Sequence, residues 1–74
     1  MKITLESTDK IVHLNNVPAR IWEGETNSGI KVHCYITRIA VEEEEPRKEE
    51  FDQELQKHKA PSEEVKAIPF RMIL

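Results

Sequence analysis

Hydrophobic and polar positions alternate along the first half of the chain and then give way to a looser helical spacing. Ile3 and Leu5 alternate with Lys2 and Thr4, the period-two pattern of a short half-buried strand over 2–5. Ser7, Thr8 and Asp9 are turn formers. Residues 10–14 predict a second short strand, with Ile11 and His13 on one side and Val12 and Leu14 on the other, so its core face is ambiguous. Asn15-Asn16 supplies a tight turn, because asparagine tolerates positive φ. Over 17–24, Val17, Ala19 and Ile21 alternate with Pro18, Arg20 and Trp22. Pro18 lacks an amide donor and belongs at an edge, a strand start or a bulge.

The longest alternating run spans 30–41. Ile30, Val32, Cys34 and Ile36 fall on one side; Lys31, His33, Tyr35 and Thr37 fall on the other. Gly, Asn and Ser between this run and the preceding one predict a β-hairpin. Placing Ile21 opposite Val32 or Cys34 collects Val17, Ala19 and Ile21 with the aliphatic side of the second strand. The reverse face then carries Arg20, Trp22, Lys31, His33 and Tyr35. After Thr37 the alternation changes phase, which predicts a bulge or a sheet covered on both faces there.

Four acids, Glu42 to Glu45, precede Pro46, and proline suits the first turn of a helix. Acids at that end also favour the helix dipole. The pattern predicts a helix near 46–59, with Phe51 and Leu55 on one narrow apolar face that must lie on a sheet or a partner. Ser62 is placed to cap one short turn. The tail over 67–73 predicts a final strand, with Ile68, Phe70, Met72 and Leu74 on one face and Pro69 marking an edge. The expected fold is α+β in one domain over 1–74: a small antiparallel twisted sheet of four to five strands with one main helix packed on it.

Composition narrows the picture. With 74 residues, the chain builds a small core and calls for reinforcement by a disulfide, a metal or self-association. Cys34 is the single cysteine, so no disulfide forms within the chain. That leaves self-association, and a homo-oligomer is expected. A lone cysteine and the absence of a hydrophobic leader in MKITLESTDK predict a reducing, cytoplasmic setting. No apolar run reaches the length of a membrane span. A net charge of −3 disfavours bulk binding to nucleic acid.

Catalytic signatures do not emerge. His13, His33, Cys34 and His58 lack metal-ligand spacing, and adjacent His33 and Cys34 point to opposite faces of a strand. No cofactor or metal is expected. Cys34, on the expected core face, reads as a small hydrophobe rather than a nucleophile. With two glycines the chain has no phosphate-cradling loop. The acidic run reads as a solvated helix start, or as a surface that docks on a basic partner. The strongest functional signal is the set Arg20, Trp22, Lys31, His33 and Tyr35. Arginine offers a planar donor fork, and aromatic residues are enriched at binding hot spots. Against it stand two plainer readings: a face covered by the helix, with Trp22 buried, or a solvent face with Glu23 and Lys31 as an exposed pair.

The segments MKITLESTDKIV, VPARIWEG, ITRIAV and AIPFRMIL resemble a group of short proteins encoded by bacteriophages and prophages. The resemblance spans most of the chain. It implies a source, the cytoplasm of an infected or lysogenic bacterium, and brings no activity and no site residues. The expectation is a non-catalytic binding protein acting on a host factor, in an inhibitory or anti-defence role. A sponge for a nucleotide-like ligand is the first alternative, with Arg20, Lys31 and His33 on phosphate and Trp22 or Tyr35 on the base. A virion or assembly component that works by self-association is the second.

Overall fold

The computed structural model describes residues 1–68 and the backbone of residues 71–72. In chain order the elements are β1 (Ile3–Leu14), β2 (Val17–Thr26), β3 (Lys31–Ile36), α1 (Lys48–Leu55), α2 (Glu63–Lys66) and β4 (Arg71–Met72). The fold is mostly β. Three antiparallel strands stand in the order β3-β2-β1, and the two-residue β4 adds to β1 in parallel. This corrects the α+β expectation: no main helix packs on a sheet of four to five full strands. The expected strand over 67–73 is described only at β4; Pro69, Phe70, Ile73 and Leu74 lie outside the described residues.

Two turns set the sheet. Asn15 and Asn16 adopt φ of 50° and 70°, and Leu14 pairs with Val17 across them. Both central residues of this two-residue hairpin are left-handed, a conformation whose twist matches that of the strands. The second turn overturns the expected register. The Gly29 amide donates to the Thr26 carbonyl, the Thr26 amide donates to the Ile30 carbonyl, and Gly29 has φ of 91°. This is a three-residue loop, Asn27-Ser28-Gly29, closed by a left-handed glycine. Such a loop pairs residues of equal parity: Trp22 faces Cys34, Ile21 faces Tyr35 and Glu23 faces His33. A pairing of Ile21 with Val32 or Cys34 requires a loop of different length. One residue of register exchanges the faces, and here the turn decides.

The strands expected over 2–5 and 10–14 are one strand. Ser7, Thr8 and Asp9 form a bulge inside β1 rather than a turn: the register with β2 shifts between Ser7, opposite Trp22, and Ile11, opposite Arg20. Thr8 is fully buried there. Its hydroxyl donates to the Ile21 carbonyl at 2.6 Å and accepts from the Lys10 amide at 3.2 Å. Arg20 Nη1 donates to the Thr8 carbonyl at 2.8 Å. The bulge also frees backbone for the outer edge of β1: Lys59 N donates to the Ser7 carbonyl, and Asp9 N donates to the Lys59 carbonyl. Each polar group that the bulge buries thus has a partner, as a low-dielectric interior demands.

The helix expected near 46–59 shortens to α1. It starts after Arg47, carries no side-chain cap and buries no residue. Pro46 and the expected C-terminal cations Lys57 and Lys59 lie outside it. β3 ends at Ile36, so the phase change after Thr37 is the end of the strand, neither a bulge nor a covered face; Ile39 and Val41 are exposed. Among the described residues the fully buried apolar core is Val12, Ala19, Ile21 and Val65, with Leu14, Tyr35 and Ile68 packed against it. Val65 belongs to α2, so this four-residue helix closes the front face of the sheet.

Candidate functional site

The equal-parity register divides the expected site. Lys31, His33 and Tyr35 share the front face with Ile21, Glu23 and α2. Arg20 and Trp22 share the back face with Val32, Cys34 and Ile36. The five side chains therefore form two surfaces separated by the sheet. No single ligand reaches Arg20 and His33 together.

On the front face, a cleft of about 830 Å³ is lined by Glu6, Glu23, Glu25, Lys31, His33 and Lys59, and closed by Glu63 and Val65 of α2. The expected Glu23–Lys31 pair is replaced by Glu25–Lys31 at 3.4 Å, whose side chains are 51% and 84% exposed. At that exposure the pair contributes well under about 1 kcal/mol. His33 Nε2 and Tyr35 Oη are 3.0 Å apart, and the rings meet edge to face at 89°. Tyr35 also packs against the buried core, so its ring is committed to the fold.

Glu23 has a different task. Ser62 is the N-cap of α2, and its hydroxyl accepts from the Val65 amide at 3.3 Å. In a capping box the third helical residue is Glu or Gln, which reaches back to the N-cap amide. Here that residue is Val65, committed to the core. Glu23 takes the role from β2: its carboxylate accepts from the Ser62 amide at 3.1 Å, and Lys59 Nζ lies 3.3 Å away. Burial pushes the Glu23 carboxyl up, but the Ser62 hydrogen bonds and the Lys59 cation outweigh it and hold the group below its ordinary 4.5. A depressed carboxyl makes the folded state bind fewer protons than the unfolded one. Its contribution is complete above the ordinary value and is lost as pH falls through the lower folded value. Glu23→Gln should lower stability at neutral pH by about 1 kcal/mol. Urea titrations of both proteins between roughly pH 7 and pH 2 check this: the difference should shrink toward the acid end, and parallel curves would contradict the linkage.

On the back face, a groove of about 280 Å³ runs past Ile11, Arg20, Trp22, Ile36, Leu55 and His58. Leu55 of α1 lines the groove, whereas Phe51 lies with Val41 and Glu54 in a separate hollow, so the two residues expected to dock the helix together do not share one contact surface. His58 Nδ1 lies 2.9 Å from Ser7 Oγ, which also donates to the Lys57 carbonyl at 3.0 Å. The segment after α1 is thereby held at the outer edge of β1, where the chain passes from the back face to the front. Cys34 is half-buried beside Trp22 rather than in the core. Glu45, at the end of the acidic run, binds the Arg47 amide and Nε, at 3.2 and 3.3 Å.

Among the described residues, no group of three His, Cys, Asp or Glu side chains converges to hold a metal ion, and no helix is long and apolar enough to cross a membrane. No protein-family model, curated protein or solved structure matches the chain.

Proposed function

We propose that the chain is a non-catalytic binding protein that engages a protein partner through the back face of its sheet. The observation that carries this reading is the position of Trp22: half-buried, between Ser7 and Cys34, on the rim of a groove that Arg20 and Leu55 also line. Tryptophan and arginine in a partly desolvated apolar setting are the side chains that dominate protein-binding energetics. The front face offers less, since Tyr35 and Glu23 are occupied in holding the core and α2. The resemblance to phage-encoded proteins supports a bacterial host protein as the target and an inhibitory, anti-defence outcome in the host cytoplasm.

The test is a pair of alanine variants. Trp22→Ala should weaken capture of the host target by tenfold or more, about 1.4 kcal/mol or above, while far-ultraviolet circular dichroism shows the fold retained. Tyr35→Ala should instead lower the urea midpoint. If Trp22→Ala unfolds the protein, or binds the target as the parent does, the back face is not the recognition surface.

A further inference from the structure

We infer that the back face is closed in the free protein by a second copy of the same chain. The inference rests on the reading of that face as the binding surface and names its resting occupant.

Beyond the groove the back face is a lattice of uncharged side chains. Trp22 is flanked by Ser7 and Cys34, Gly24 by Leu5 and Val32, and Thr26 by Ile3 and Ile30. None of these rows carries an ionised side chain at neutral pH. The front face, by contrast, carries Glu6, Glu23, Glu25, Lys31 and Lys59. Ile3 is 39% exposed and Ile30 is 62% exposed, and none of the back-face residues is fully buried.

The exposed area of the chain is large enough for a second copy to cover part of it. The chain exposes 6089 Å². A closed monomer of 8.6 kDa exposes about 4,700 Å² by the scaling of surface with mass. The excess, roughly 1,400 Å² over the whole chain, includes the largely exposed 37–50 stretch as well as the back face, and it exceeds the roughly 800 Å² per partner of a standard interface.

Chemistry selects a second copy over a foreign chain as the resting occupant. Homodimer interfaces are the most apolar class and are depleted in charge at their centre. A twofold axis brings the same patch against itself. Each chain carries a net charge of −3, yet an uncharged patch meets its own image without local repulsion. Such cover would also add to a small core, since among the described residues Val12, Ala19, Ile21 and Val65 form the fully buried apolar cluster. A second copy is present wherever the chain is made and stabilises the folded state by mass action, whereas a foreign target is present only on encounter.

Sedimentation equilibrium of the intact chain, with Val32→Lys as the variant, tests the inference. The parent should sediment at twice the chain mass at micromolar concentration. Val32→Lys places a charge at the centre of the patch and should sediment as a monomer with parental circular dichroism. Cys34 gives a second readout that needs no variant. Dilution through the dissociation range should raise its rate of alkylation by tenfold or more, as the neighbouring copy leaves. A parent chain that is monomeric at high micromolar concentration overturns the inference, as does a Cys34 rate that ignores dilution. So does a Val32→Lys variant that stays folded and dimeric. Those outcomes leave target capture and its Trp22 dependence untouched, so failure of the dimer and failure of the binding reading are told apart.

Discussion

Gly24→Ala will abolish stable folding, the largest loss expected from any single methyl group in this chain. Gly24 sits on β2 opposite Leu5. A Cβ there would collide with the Thr4 carbonyl oxygen, and would lie 2.7 Å from the Thr4 carbonyl carbon and 3.0 Å from the Leu5 Cα. These are backbone atoms of the paired strand, so no side-chain rotation relieves the contact; β1 and β2 must separate. Overpacking in a well-ordered interior costs about 1–3 kcal/mol even where side chains can adjust. A backbone collision within the central pairing exceeds that range, and domains have only roughly 0.05–0.15 kcal/mol of stability per residue. Gly29→Ala is the control. Its Cβ meets nothing within 4 Å, but φ of 91° is a left-handed conformation, so the cost is backbone strain of about 1 kcal/mol. Urea unfolding followed by Trp22 fluorescence should show a reduced midpoint for Gly29→Ala and no folded baseline for Gly24→Ala. A cooperative transition for Gly24→Ala near that of the parent would refute the close approach of β1 and β2.

The two glycines also mark where the sequence was legible and where it was not. Asn15-Asn16 announces its turn because its side chains suit positive φ, and the strand parity on either side of it follows. Asn27-Ser28-Gly29 announces a turn too, but its length settles the register, and that depends on Gly29 taking the left-handed position. Arranging the flanking strands for the cleanest apolar face gives the opposite parity. The protein instead keeps apolar residues on both faces: Ala19 and Ile21 in front, Trp22, Val32 and Ile36 behind. A rule that assigns one face to core and the other to solvent fails for a sheet buried under α2 on one side and half-buried on the other. The same cause splits Arg20 and Trp22 from Lys31, His33 and Tyr35. The bulge at Thr8 was hidden for a different reason. Ser-Thr-Asp has the composition of a turn, and only the partners of the Thr8 hydroxyl, Ile21 and Lys10, reveal a continuing strand. Val65 was hidden because its helix is four residues long and draws its capping carboxylate from Glu23, which is remote in sequence.

Ile21→Ala should cost about 2–5 kcal/mol, the range for truncating a fully buried aliphatic side chain. Ile21 is fully buried at the centre of the front face, between Val12 and Ala19 of the core, Tyr35 on the neighbouring strand and Val65 of α2. A cavity at Ile21 removes packing from a small core, and it leaves α2 held on the sheet mainly by the Glu23 carboxylate on the Ser62 amide and by the Lys10 ammonium on the Lys66 carbonyl. The loss should therefore appear twice, as a lower urea midpoint and as faster amide exchange at Val65 and Lys66. Val32 provides the comparison that separates the two registers. Were Val32 on the Ile21 face, its truncation would cost as much. On the back face, Val32→Ala measured on dilute protein should cost about 1 kcal/mol or less, because Val32 is half-buried and stands outside the buried core cluster. Equal losses for Ile21→Ala and Val32→Ala would mean that the three-residue turn at Asn27-Ser28-Gly29 does not set the pairing of β2 with β3.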